Sequence, residues 1–214
     1  GSYVIAAILP SYQERCGSSL IYMVEKLIEL TGHKTSGFYK DNPEEFVGKI
    51  REIKAEGRKV LLIGVSYALL DLAERNSPPD LSGVVVMETG GMKGRRKEIT
   101  RGELHSLLRK KLNVDRIHSE YGMTELLSQA YSTGNGIFRC PPWMKILIRD
   151  PQDPFKIITE PGKTGGINII DLANVNSCSF VATSDLGKLH EDGSFEVLGR
   201  FDNSDVRGCN LMVE

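Results

Sequence analysis

Three short apolar runs and a fourth strand candidate, separated by segments with helix start and stop signals, constrain the fold of this chain more than any other feature. Val4 to Leu9, Lys59-Val-Leu-Leu-Ile-Gly64, Gly83-Val-Val-Val-Met-Glu88 and Arg116 to Ser119 read as strands. The second and third are apolar enough to be buried on both faces. Between them, Ser18 or Ser19 is placed to cap an amphipathic helix to about Leu30, with Gly32 as its stop. Asn42-Pro43-Glu-Glu opens a second helix, with Phe46, Val47, Ile50 and Ile53 on one face and Gly57 beyond its end. Ser66 is expected to cap the helix Tyr67–Arg75, and Pro78-Pro79 breaks the chain after it. Thr100-Arg-Gly-Glu103 matches a capping box for a helix through about Lys111. Strands alternating with helices in this way predict an α/β fold: a mainly parallel sheet covered by helices on both faces.

The pattern changes near Arg139. Trp143–Arg149, Gly166–Asp171 and Cys178–Thr183 look like strands joined by Gly- and Pro-rich turns, and Lys188 to Leu198 like a hairpin around Asp192-Gly193. Two parts are therefore expected: an α/β subdomain over 1–138 and a smaller, mostly β subdomain over 139–214.

Composition narrows the function classes. With a net charge of -1 and a pI near 6.5, the chain is not charged like a general nucleic-acid or membrane-surface binder. The basic run Lys93-Gly-Arg-Arg-Lys97 is local and reads as a solvated loop. No apolar run reaches the length of a membrane span, and the start does not resemble a signal peptide. Cys16, Cys140, Cys178 and Cys209 are scattered, with no Cys-x-x-Cys, which disfavours structural zinc and a disulfide framework. A reducing cytoplasm is the expected location.

The chemistry concentrates at strand ends, where open α/β sheets bind ligands. Ile117-His-Ser-Glu-Tyr-Gly-Met-Thr-Glu-Leu126 reads as the end of a strand, a turn at Gly122 and the start of a helix at Thr124. That geometry would set an aromatic face, a hydroxyl, backbone N–H groups and a carboxylate around one small space, suited to a nucleotide phosphate and its metal ion. A second strand runs into Glu88-Thr-Gly-Gly-Met-Lys-Gly94, where glycines permit close approach to a flat ligand. Further on, Asp185 follows a strand in Thr183-Ser-Asp-Leu-Gly187, and Arg200 follows the hairpin. Their carboxylate and guanidinium suit ribose hydroxyls or a phosphate. Taken singly, these are an ordinary turn residue and a surface residue. His118 reads as a satisfied strand histidine, while His33, His105 and His190 form no constellation.

In this order, Tyr121-Gly-Met-Thr-Glu125, Ser184-Asp-Leu-Gly187 and Gly199-Arg-Phe-Asp202 with Arg207-Gly208 resemble the later core motifs of the AMP-forming adenylate-forming superfamily. Met87-Glu-Thr-Gly-Gly91 resembles the segment that family lays along adenine. Within the superfamily, the runs Met87–Arg96 and Ile117–Tyr131 and the ending Arg207-Gly-Cys209 look closest to LuxE-like acyl-protein synthetases. The resemblance implies that Tyr121 stacks on adenine, that Gly90 and Gly91 line its edge beside Gly122, and that Thr124 contacts phosphate. It further implies Glu125 as a holder of Mg²⁺, Asp185 on the ribose hydroxyls and Arg200 on ribose or phosphate. Cys209 would be an acyl-accepting thiol, with Arg207 favouring its thiolate.

The implied reaction joins a fatty-acyl or other carboxylate to ATP, giving acyl-AMP and pyrophosphate, and then transfers the acyl group to a thiol. That thiol is a protein cysteine or CoA, and an acyl-transfer or reductase protein is the implied partner. An AMP-forming CoA ligase and a non-catalytic nucleotide-binding or interaction fragment are the alternatives. The family's phosphate loop and its small C-terminal domain with a catalytic lysine have no counterpart in these 214 residues. The Gly199–Gly208 segment is one residue shorter than the usual pattern and lacks its lysine. The sequence thus reads as a fragment or a shortened protein, for which weak or no ATP activation in isolation is expected.

Overall fold

A computed structural model describes residues 2–9, 18–90 and 99–201. The chain divides into two compact units, one of residues 1–124 with 132–135, the other of 125–131 with 136–214.

In the first unit the apolar runs become strands and the capped segments become helices. They follow as β1 (Tyr3–Ile8), α1 (Ser19–Thr31), β2 (Gly37–Phe38), α2 (Pro43–Ala55), β3 (Lys59–Val65), α3 (Ser66–Ala73), β4 (Val85–Thr89), α4 (Arg101–Leu112) and β5 (Ile117–Tyr121). The strands lie side by side in the order β2-β1-β3-β4-β5, and every neighbouring pair is parallel. In β1, Val4 to Ile8 are all buried, as a strand covered on both faces requires. Helices α1 and α2 pack on β1, α2 also on β3, while α3 and α4 pack on one another and on β3, β4 and β5. The core is aliphatic: Val4, Leu62, Leu69, Val86, Leu108 and Leu112 are among its buried members, with Phe46 of α2.

The caps explain where the helices begin and end. The Ser18 side chain accepts from the Ile21 amide, and Gly32 closes α1 in the left-handed region at φ 60°. Asn42 accepts from the Glu45 amide ahead of Pro43. Thr100 and Glu103 form the reciprocal capping box at the start of α4. Ser66 departs from expectation: it is the first residue of α3 rather than its cap, and no side chain caps that helix. Its hydroxyl is committed elsewhere.

The second unit is a sheet of hairpins. After β6 (Ala130–Ser132) come β7 (Ile137–Arg139), β8 (Met144–Arg149), β9 (Ile157–Ile158), β10 (Thr164–Asp171), a 3₁₀ turn (Leu172–Asn174), β11 (Phe180–Leu189) and β12 (Phe195–Arg200). Their order β7-β12-β11-β10-β8-β9 is antiparallel at every pairing, so the expected mainly parallel sheet describes the strands of the first unit and not these. Alternate residues of β8, Met144, Ile146 and Ile148, point into the core with Ile167, Ile169 and Leu186. Phe138 and Phe195 face each other across β7 and β12 with ring centroids 5.5 Å apart.

Two further expectations are corrected here. No helix starts at Thr124; residues 122–129 form turns and irregular chain. The backbone there is engaged by the second unit's own side chains. The Leu127 and Ser128 amides each donate to Asp171 Oδ2 at 2.9 Å, and Asn174 Nδ2 donates to the Glu125 carbonyl at 2.7 Å. An intrahelical ladder would have to give up those contacts. Second, β11 does not end at Thr183 but continues through Ser184-Asp-Leu-Gly187. Gly187 stands in that run because the Glu196 carbonyl of β12 occupies the place where a Cβ would go. Its glycine reflects close strand approach rather than a turn.

Among the described residues, no helix is long and apolar enough to cross a membrane.

Candidate functional site

The parallel sheet of the first unit brings two strand-end glycines side by side, although the turn expected at Gly122 falls instead at Thr124-Glu125. β4 and β5 are neighbours in register, Glu88 opposite Ser119 and Thr89 opposite Glu120. One residue further, Gly90 follows β4 and Tyr121 ends β5, with Gly122 next in the chain. Gly90 has φ 67°, a conformation open to glycine at little cost. Gly90, Gly122 and Thr124 are exposed, whereas Tyr121 is only 8% exposed, so its ring offers little open area for stacking. Gly91 lies outside the described residues.

Beneath this edge lies a buried polar cluster that the sequence did not announce. Residues alternate in direction along a strand, so Glu88 and Ser119 share one face of the sheet while Thr89 and Glu120 share the other. Glu88 is 4% exposed. Its Oε1 lies 3.5 Å from both Arg101 Nε and His105 Nε2, and its Oε2 accepts from Ser66 Oγ at 3.1 Å. Ser119 Oγ lies 3.3 Å from the same His105 nitrogen. Because Ser119 and Glu88 both face Nε2, the three do not form a Ser–His–acid relay, which needs opposite ring nitrogens. His105, which showed no constellation in the sequence, is therefore part of one built by tertiary contact.

The cluster sets two carboxyls apart. Burial pushes Glu88 up, but hydrogen bonding from His105 and Ser119, with the Arg101 charge, outweighs it and holds the carboxyl below its ordinary value. For Glu120 burial dominates and raises the carboxyl, opposed by a hydrogen bond from the Thr89 hydroxyl and aided by the Glu88 charge. Burial, with the nearby Arg116 charge, lowers His118.

The second unit holds the remaining candidates. Asp185 and Arg200 stand opposite each other across β11 and β12, with Arg200 Nε 3.5 Å from Asp185 Oδ1. The structure brings these two together. Arg200 is largely exposed, so the pair contributes little to stability. The Asp185 amide donates to Thr183 Oγ1 at 3.0 Å, steadying the local backbone. Glu125 is exposed. Without a helix at Thr124, the expected bundle of N-terminal amides does not face a phosphate; two of those amides serve Asp171. Cys209, Arg207 and Asp202 lie outside the described residues.

No group of three His, Cys, Asp or Glu side chains suited to a metal occurs among the described residues. Mg²⁺ rarely uses such a cage, being held by one or two carboxylates, substrate phosphates and water. The exposed Glu125 carboxylate fits that mode of binding.

Solved structures share the fold. ATP-bound MatB from Rhodopseudomonas palustris matches with a TM-score of 0.62 at 16% identity, over 93% of this chain and 40% of that one. Coronafacic acid ligase from Pectobacterium brasiliense matches with a TM-score of 0.57 at 18% identity, over 93% of this chain and 39% of that one. The luciferase-like enzyme of the Zophobas morio mealworm gives 0.59 at 16% identity, over 94% of this chain and 49% of that one. At such identities the likeness is one of fold. The chain spans about 40% of the length of the MatB structure it matches. No family model matches the sequence, and no curated protein does.

Proposed function

We propose that this chain is the portion of an ATP-dependent, AMP-forming acyl ligase that carries the nucleoside half of the active site. The observation supporting this most strongly is the placement of Gly90 and Tyr121-Gly122 at the carboxyl ends of adjacent parallel strands, in a fold shared with MatB and coronafacic acid ligase. In this reading Gly90 and Gly91 admit the flat base, Tyr121 walls it, and Asp185 accepts hydrogen bonds from the ribose. Arg200 reaches ribose or phosphate from its exposed position opposite Asp185. Thr124 contacts phosphate, and Glu125 supplies one carboxylate to a nucleotide-bound Mg²⁺. That ion supplies charge stabilisation at the phosphates.

The chemistry asks little covalent work of the protein. A carboxylate oxygen attacks the α-phosphorus, the bond to pyrophosphate breaks, and the acyl-AMP is held by positioned donors. In the finer reading a thiolate then attacks the acyl carbonyl and AMP leaves. The LuxE-like resemblance of Met87–Arg96, Ile117–Tyr131 and Arg207-Gly-Cys209 favours Cys209 as that thiol and a fatty-acyl group as its cargo.

Calorimetric titration with a non-hydrolysable acyl-adenylate mimic and Mg²⁺ tests the proposal. Micromolar binding is expected, lost in Tyr121→Ala and Asp185→Ala. A folded chain that does not bind the mimic refutes a nucleoside site within these residues.

A further inference from the structure

We infer that Ser66 and Glu88 are a positioning pair for the Gly90 turn, the strip of backbone that the proposed function lays along the base. The inference rests on that reading for its purpose, but its geometry stands apart from it. Ser66 is 2% exposed and opens α3 without capping it. Its Oγ lies 3.0 Å from the Gly90 carbonyl oxygen and 3.1 Å from Glu88 Oε2. Both partners are acceptors, and a serine hydroxyl has one proton. The hydroxyl therefore divides one donor between the turn and the carboxylate.

Gly90 is where such a tether matters. The residue is exposed, and at φ 67° it has no side chain of its own to limit its backbone. Left alone, it would sample many orientations, and a ligand would have to select one. Ser66 ties its carbonyl to the first turn of α3. Glu88 in turn fixes Ser66, and is itself fixed through Oε1 by Arg101 and His105 of α4. Two helices and one strand thus meet in the orientation of one exposed peptide. A site edge built on such rigid elements is pre-formed rather than folded on binding.

The shared proton makes the two partners act in opposite directions. Removing the Ser66 hydroxyl frees the Gly90 carbonyl. Replacing Glu88 by glutamine keeps an acceptor toward Arg101 and His105 while turning an amide N–H toward Ser66 Oγ. The serine proton is then committed wholly to Gly90. A merely structural defect would loosen the turn in both variants.

The test is the carbonyl ¹³C resonance of Gly90 in the ligand-free protein, which moves downfield as its hydrogen bond strengthens. Ser66→Ala is expected to move it upfield and Glu88→Gln downfield, with circular dichroism unchanged. In parallel, the acyl-adenylate mimic should bind Ser66→Ala about tenfold more weakly, the scale of one lost hydrogen bond with some loss of preorganisation. An unmoved resonance in Ser66→Ala overturns the inference, as does a moved resonance with unchanged mimic affinity. Should Ser66→Ala fail to fold, Glu88→Gln decides alone, and an upfield move or none overturns the pair. If the wild-type chain does not bind the mimic while the resonance responds as expected, the tether is supported and only the nucleoside reading falls.

Discussion

Asp171→Ala should be the most damaging single change in the second unit. The carboxylate is fully buried and accepts four hydrogen bonds. The Leu127 and Ser128 amides donate at 2.9 Å, the Ser128 hydroxyl at 2.6 Å and the Ala173 amide at 3.1 Å. Leu127 and Ala173 are exposed, so water recovers much of what they lose. Ser128 is 4% exposed, and both of its donors are stranded. At about 1–3 kcal/mol for each stranded donor, plus a remainder from the other two, the loss is about 3–5 kcal/mol. Asp171→Asn keeps the shape but opposes an N–H to existing donors, and should cost about half as much.

Trp143 is the sole tryptophan, and its Nε1 donates to Ser128 Oγ at 2.9 Å, so its fluorescence reports this contact during urea unfolding. A loss below about 1 kcal/mol at unchanged slope would refute the reasoning. Acid titration supplies a second check. Burial pushes Asp171 up, but the Ser128 hydroxyl and the Ser128, Leu127 and Ala173 amides outweigh it and hold the carboxyl below its ordinary value. A depressed folded pKa stabilises above the unfolded value and is lost as pH falls through the folded one. The gap between wild type and Asp171→Ala should therefore be constant from neutral pH to about 5 and shrink below that. A gap that widens with acid would contradict the assignment.

Smaller effects are expected elsewhere. Thr100→Ala removes the half of the α4 capping box in which the Thr100 hydroxyl accepts from the Glu103 amide, leaving the Thr100 amide on Glu103, and should cost about 1 kcal/mol, with faster amide exchange in the first helical turn as the check. Gly187→Ala drives a methyl group against the Glu196 carbonyl and the Ile167 side chain. It should cost about 1–3 kcal/mol and reduce exchange protection along β11 and β12, while retained protection would place the strand approach elsewhere.

Features written in local chemistry were legible in the sequence. Continuous apolar runs, Gly32 after a helix, Asn42-Pro43 before one and the Thr100–Glu103 box each act over a few residues, and each appears as expected. The hairpin at Asp192-Gly193 did too, with Gly193 at φ 78°. What failed were local signals overruled by distant partners. Thr124-Glu125 reads as a helix start, but Asn174 takes the Glu125 carbonyl and Asp171 the Leu127 and Ser128 amides, from 43 to 49 residues away. Ser184-Asp-Leu-Gly187 reads as a turn until β12 is laid against it. The site divides the same way. The two strand-end glycines were visible because strand ends are, whereas the Glu88 cluster joins residues 66, 88 and 119 to Arg101 and His105, one turn apart on α4, and no spacing rule links those separate segments.

Ser66 shows why such cases resolve as they do. A serine between an apolar strand and a helix reads as a cap, because accepting from an orphan amide is worth about 1 kcal/mol. At that place, however, the sheet also presents an ionised, buried Glu88 and the Gly90 carbonyl. Leaving a buried carboxylate short of donors costs several times more than an uncapped helix end, whose amides can find water. The hydroxyl therefore points inward as a donor, and α3 begins without a side-chain cap. The one signal available beforehand was Glu88 itself: an acid ending a run of Val and Met has to be matched by donors, and the nearest hydroxyl after the preceding parallel strand is Ser66.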